Sequence, residues 1–289
     1  MTRFPFLAQR MFNTPLAIHP AKAEVILGAL SDRLGITSMR LNGEVLALKG
    51  TAIDDEDEGA TYSEAGYEVE IGVAKIDVDG TTVMKLGSLR PYSGMTGYDG
   101  LRENIMEALN DVRVRAIMLD IDSPGGEVSG LFDFVDFLAW ANTQKPVYAV
   151  LTESAYSAGY AIASAARKIY VPRTGGTGSI GVIWMHCDFS QAIKDAGVTV
   201  TFITRGALKA DGAEELPLSP EARARAQADI DTIGGIFEAT VAQNRGLSEK
   251  KIRDMQAGTF LGADSVKQGL ADEVMSPDAA FRDILEEIG

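Results

Sequence analysis

Three short runs, far apart along the chain, carry residue types that would make a hydrolytic site if they met. They are Asp122-Ser123-Pro124-Gly125-Gly126, Tyr156-Ser157-Ala158-Gly159 and Gly206-Ala207-Leu208-Lys209-Ala210-Asp211-Gly212. In the first, Pro124 stiffens the backbone and has no amide to donate, while two glycines allow a tight turn and close approach to a ligand. An amide aimed that way can stabilise a developing oxyanion, usually the largest single effect in acyl transfer. In the second, Ser157 stands at the mouth of an alanine-rich segment that reads as a helix. A serine there faces unpaired amides and the positive end of the helix dipole, and the Ala158 amide is a second candidate oxyanion donor. In the third, Lys209 offers an amine that acts as a base once desolvation or a cationic neighbour removes its charge. Ser179, in Thr177-Gly178-Ser179-Ile180-Gly181-Val182, could hold that amine by a hydrogen bond. Together these supply what a serine hydrolase with a lysine base needs. Singly, each has a plainer reading: a strand-to-helix turn, an N-cap serine, a solvated lysine and a turn serine.

A second way to activate Ser157 runs through His186, with Asp188 or Asp122 as its orienter. His186 lies in an apolar run, where a structural histidine is the commoner state. The only other histidine, His19, sits in the N-terminal segment. Two histidines exclude a histidine-rich metal site, and the single cysteine, Cys187, excludes an intrachain disulfide or a thiolate cluster. Cys187 follows the apolar run 180–185 and reads as a buried structural thiol. No metal and no organic cofactor is expected. The formal net charge of −14 disfavours direct contact with nucleic acid. No apolar stretch approaches the roughly 18 residues of a membrane span, and Met1 to Phe6 lacks a signal-peptide core. The expectation is a cytoplasmic protein, or one sealed inside an intracellular assembly.

The elements that must position these residues follow from periodicity. Val25, Ile26, Ala29 and Leu30 are spaced as a helix within 20–34, and Asp54 to Glu58 reads as a solvated acidic loop. From Val69 the pattern alternates: Val69–Val73, Ile76–Val78 and Thr82–Met84 read as strands, with Asp79-Gly80 as a turn between the last two. Residues 90–99 read as a loop and 101–112 as a helix. Ala116–Ile121, Val147–Leu151, Ile169–Val171 and Val198–Ile203 read as strands. Helices are expected from Leu131 to Leu138, over Ser157–Ala166 and over Phe189–Ala196. Apolar strands alternating with helices argue an α/β core with largely covered parallel strands. Ser219-Pro220-Glu221 starts a long helix that Gly246 can end. Residues 260–274 read as helix then strand.

In this order the motifs resemble the signal peptide peptidase A (S49) family of serine peptidases. The matching text runs from Ala116–Gly126 through Ser154–Tyr160 and Thr177–Val182 to Lys209–Gly212 and Ala263–Val274. Within the family it is most similar to the head-maturation (prohead) proteases of tailed phages, partly through the leader-like Met11-Phe12-Asn13-Thr14-Pro15-Leu16. The resemblance implies an α/β, ClpP/crotonase-like fold of stacked ββα units with a small N-terminal extension. The expected division is an extension over 1–66, a peptidase domain over 67–275 and a helical tail over 276–289. It implies Ser157 as nucleophile, Lys209 as general base and Ser179 on the lysine amine, and it places Gly125 or Gly126 and Ala158 in the oxyanion hole. It implies scaffold and capsid proteins as substrates, a homo-oligomer, and work inside the prohead in the host cytoplasm. The chain shows neither the membrane anchor of some members nor the scaffolding extension of others, so neither is expected. Alternatives are a cytoplasmic signal-peptide-peptidase-like protease of bacteria, or a crotonase-type acyl-CoA enzyme. The latter would not explain Ser157 together with Lys209.

Overall fold

A computed structural model describes residues 14–22, 26, 38–41, 44–47 and 66–289. Most of the expected N-terminal helix and all of the acidic loop lie outside them. The centre is a mixed sheet whose long strands are β5 (Val73–Val83), β7 (Ala116–Glu127) and β8 (Val147–Ala155), with β9 (Lys168–Val171) beside β8. These four pair in parallel, as runs of apolar residues with intervening helices predict. The fold is α/β, as expected. Helices α1 (Tyr98–Asn110), α2 (Leu131–Gln144) and α3 (Ala158–Ser164) make the connections. They bury Leu101, Ile105, Leu131, Val135, Leu138 and Ile162 with Ile76, Val78, Leu119, Ile121 and Leu151 in the main core. Full burial of each such side chain contributes about 2 kcal/mol.

The other sheet face is covered over part of its area by α8 (Pro277–Ile288). Ala280 and Ile284 of α8 are fully buried against a cluster with Val73, Met118, Tyr148 and Tyr170. Polar contacts fix the helix in place. Lys168 Nζ lies 2.7 Å from Asp283 and 3.2 Å from Glu287. The Tyr148 and Tyr170 hydroxyls donate to Glu287 and Asp283. At the chain's end Arg115 donates to the carbonyls of Ile288 and Gly289, and also to that of Ile71. Further along the same face lies a row of carboxylates, with Asp77 beside Asp120 and Asp79 beside Asp122 on neighbouring strands. Lys75 pairs with Asp120 at 2.7 Å.

Several local expectations are corrected. The first hairpin turns at Ile71 and Gly72, both at positive φ, and joins β4 (Glu68–Glu70) to β5. Asp79-Gly80 is not a turn: β5 runs on through it with β7 alongside, and the register shifts there because Ser123 and Pro124 of β7 stand opposite Gly80 alone, a bulge in β7. Residues 95–97 form a short strand, β6 (Met95–Gly97), parallel to β5 rather than part of a loop. Asp122–Gly126 does not turn away from the sheet. It extends β7, with a register shift at Ile121/Ser123. The expected strand over 198–203 is absent; the residues lie outside regular structure, with Ile203 96% exposed and Val198 55% exposed. An alternating pattern makes a strand only where a partner edge stands beside it, and among the described residues no strand pairs with these. The expected order of helix then strand in the tail gains a strand in front: β11 (Thr259–Leu261), α7 (Gly262–Gln268) and β12 (Glu273–Val274). β11 pairs with β10 (Gly176–Gly178), and β12 with β9.

The short helix over 189–196 is present as α4 (Ser190–Asp195). The long helix is α5 (Pro220–Arg245), capped by the Ser219 hydroxyl on the Ala222 amide and ended by Gly246 at φ 62°. A shorter α6 (Glu249–Asp254) follows it. Part of the N-terminal segment joins the main sheet: β1 (Leu16–Ile18) lies antiparallel to the last residues of β7. A separate two-stranded sheet pairs β2 (Ser38–Leu41) with β3 (Glu44–Ala47).

Candidate active site

Ser157 sits where β8 ends and α3 begins. It is fully buried, with φ 52° and ψ −118°. A non-glycine residue rarely adopts that backbone, and the strain costs of the order of 1–3 kcal/mol. Its side chain does not cap the helix; the hydroxyl donates to the carbonyl of Gly181 at 3.4 Å. The local backbone is fixed from several directions. The Ser157 amide donates to Gly178, the Tyr156 amide to Ser123, and the Gly159 amide back to Tyr156, each at 2.9 Å. The turn is therefore imposed by the neighbouring strands and leaves the hydroxyl outside the helix hydrogen bonds.

The end of β7 runs directly past this serine. Gly125 has φ 102°, and a β-carbon on it would fall 2.9 Å from Ser157 Cβ. One on Gly126 would fall 1.8 Å from the Thr82 carbonyl oxygen. Only glycine lets this strand lie so close to both neighbours. The Gly125 amide donates to Ser123 Oγ at 3.2 Å, and that hydroxyl donates to Gly80 at 2.7 Å. Among the described residues nothing accepts a hydrogen bond from the Ala158 amide, the first of the helix. So two of the expected oxyanion residues, Gly125 and Ala158, flank Ser157, with Gly126 next along the strand.

Ser179 is close by in the chain's path. It is buried at φ 54°, and its amide donates to Gly258 at 2.9 Å. Lys209 is placed differently. It lies in an exposed turn whose amide donates to Gly206 at 3.2 Å. The turn is held to α5 by the ion pair of Asp211 with Arg225. It borders a cavity of about 370 Å³ lined by Pro15, Trp184, Leu208, Ala222 and Ile230, which Ser157 does not line. The structure thus brings Ser157, Gly125, Gly126 and Ala158 together and leaves Lys209 at the surface. His186, the competing base, stacks on Trp184 with ring centroids 5.9 Å apart. Cys187 is half-buried, and burial pushes its thiol up to about 11, which suits a structural residue rather than a nucleophile. Among the described residues no group of three or more His, Cys, Asp or Glu side chains is arranged to hold a metal ion. None of their helices is long and apolar enough to cross a membrane.

A feature the sequence did not announce is β1. Leu16, Ala17 and Ile18 are too few to show a period, yet all three are buried beside the site.

A serine held on a strained strand-to-helix turn, beside a glycine strand and an unpaired helix amide, is the arrangement a serine hydrolase requires. Comparison with known proteins narrows the class. The profile of peptidase family S49 matches residues 139–288. Capsid assembly protease C of Escherichia phage lambda is 37% identical over 99% of this chain and 67% of its own length. Head-tail preconnector protein GP5 of Enterobacteria phage P21 is 37% identical over 93% of this chain and 55% of its own length. Protease 4 of Haemophilus influenzae is 28% identical over 73% of this chain and 34% of its own. The chain belongs to peptidase family S49, and it spans only about half to two thirds of the length of the two phage relatives. Among solved structures, a ClpP1 variant from Listeria monocytogenes aligns over 71% of this chain and 92% of its own, at 14% identity and a TM-score of 0.45. An enoyl-CoA hydratase/isomerase from Acinetobacter baumannii aligns over 78% and 81%, at 14% identity and a TM-score of 0.46.

Proposed function

We propose that this chain is a serine endopeptidase of phage head assembly that cleaves scaffold and capsid proteins. The observation that carries the reading is Ser157 itself, a buried serine at φ 52° against Gly125, in a chain of a peptidase family. The phage setting is supported by the two relatives at 37% identity, one named for capsid assembly and one for the head-tail preconnector. On this reading the Ser157 hydroxyl attacks a substrate carbonyl. The Ala158 amide and a glycine amide of 125–126 receive the oxyanion. A base takes the hydroxyl proton and returns it to the leaving amine, and water clears the acyl-enzyme. Each step is closed by these groups without metal or organic cofactor.

Lys209 is the proposed base, with Ser179 holding its amine. For that, the exposed turn over 206–212 must close toward Ser157. Apolar residues in and just before it support such a movement, since Phe202, Ile203 and Leu208 are exposed and burial would be favourable. A homo-oligomer would give them a surface to bury against, and work inside the prohead of an infected cell follows from the phage setting.

The test is cleavage of capsid and scaffold proteins, and labelling by a fluorophosphonate probe, with Ser157→Ala and Lys209→Ala. Both variants are expected to fold and to lose cleavage by at least about a hundredfold. Labelling of wild type but not Ser157→Ala identifies the nucleophile. Cleavage undiminished in Lys209→Ala would remove lysine from the mechanism and leave His186 as the base to test.

A further inference from the structure

The groove that passes Ser157 is not empty. One wall is the end of β7, Gly125 to Glu127. The other is the segment 181–183, whose Gly181 carbonyl accepts from the Ser157 hydroxyl. Between them lies β1. Its residues pair Leu16 with Glu127, Ala17 with Gly126 and Ile18 with Gly125 in antiparallel register. On its other side Leu16 exchanges two hydrogen bonds with Ile183, both 2.9 Å. The pairing continues one residue on, where the His19 amide donates to the Pro124 carbonyl at 2.7 Å. Ile18 Cα and Ser157 Cβ lie 3.0 Å and 2.9 Å from the same point, the place a Gly125 β-carbon would take. An extended segment bonded on both edges and running past a nucleophile is how a sheet edge takes a peptide.

We infer that Leu16–Ile18 is an internal occupant of the substrate groove, which excludes other peptides until it leaves. This rests on the peptidase reading of Ser157. The segment fills the groove as a ligand would. Ala17 faces the main core, while Leu16 and Ile18 face the opposite way into a small satellite cluster with Ile26, Ile183 and Met185. Its hold is limited: three strand residues, with two of the three side chains outside the main core. Such a segment belongs to the low-stability end of a structure, able to open without global unfolding. The same geometry describes what replaces it: an extended peptide with a small residue toward the core and apolar residues at the positions before and after.

The experiment compares the full wild-type chain with Leu16→Asp/Ile18→Asp, and with the milder Leu16→Ala/Ile18→Ala in case the aspartates impair folding. Neither pair replaces Ser157 or a proposed oxyanion donor. Fluorophosphonate labelling of Ser157 and hydrogen exchange at 16–19 and at Gly126 are read together. The release variants should lose exchange protection at these positions and label roughly tenfold faster, as a competent fraction rises. A synthetic peptide of residues 14–20 should slow their labelling again. Lost protection with an unchanged labelling rate overturns the inference while leaving the peptidase reading intact. So does a wild-type chain that already labels as fast as the variants, or a peptide without effect. If no chain labels at Ser157, the peptidase reading fails, and this one fails with it.

Discussion

Ser157 stores strain that its neighbours impose. At φ 52° and ψ −118° the residue occupies a region that glycine adopts freely and other residues do not. Alanine at 157 keeps that strain, whereas glycine releases it, offset in part by glycine's greater freedom when unfolded. We therefore expect Ser157→Gly to be more stable than Ser157→Ala by about 1 kcal/mol, measured by urea denaturation, with both inactive. Equal stabilities would mean that the surrounding strands relax around the substituted residue. This strain was not legible in the sequence. Ser157 was singled out there by its place before Ala158-Gly159 and after a strand, a pattern that an ordinary N-cap shares. What separates the two is the hydroxyl, directed to Gly181 instead of a helix amide, and that depends on backbone contributed by residues 178–181. Lys209 shows the converse. Its residue type and neighbours marked it in the sequence, but burial is a property of the folded surroundings, and here the turn is exposed.

Among the elements, α8 is the one whose loss would bare a sheet face. Ile284 is fully buried between it and the cluster of Val73, Met118, Tyr148 and Tyr170. Ile284→Ala should cost about 3 kcal/mol, read from the denaturation midpoint, and should loosen α8 before the rest of the fold. Hydrogen exchange that rises in α8 while β7 stays protected would show it; uniform exchange would mean α8 unfolds only with the core. The long elements were readable because many residues repeat one period: α5 carries its cap, its proline and its terminal glycine as well. The short ones were not. β6 and β10 each have three residues, and their strand character comes from the neighbour they pair with. Asp79-Gly80 misled for a related reason. As a dipeptide it favours a turn, but beside β7 it stays within the strand, and an extra β7 residue opposite Gly80 takes up the irregularity while the ladder continues on either side.

Over the whole molecule the net charge of −14 is unevenly spread, and one concentration lies on the sheet face beside α8. Partial burial, then the neighbouring carboxylates Asp77, Asp120 and Asp122, push Asp79 up to about 6. A carboxyl raised on folding binds more protons in the native state than in the unfolded one between its two values. Its favourable contribution is complete below the unfolded value near 3.8 and is lost as pH rises through about 6. Asp79→Asn should therefore raise the melting temperature at pH 7 to 8, with the difference shrinking to nothing near pH 4. A larger gain at acid pH than at neutral pH would contradict this sign.

The clasp that Arg115 makes on Ile288 and Gly289 fixes a direction of departure. Arg115 stands just before β7 begins, and Gly125 stands near its other end. At about 3.3 Å per residue, those ten residues span about 30 Å. A tether attached after Gly289 would leave from the far side of the sheet, so that a bulky cargo on it could trail away without crowding the mouth of the groove.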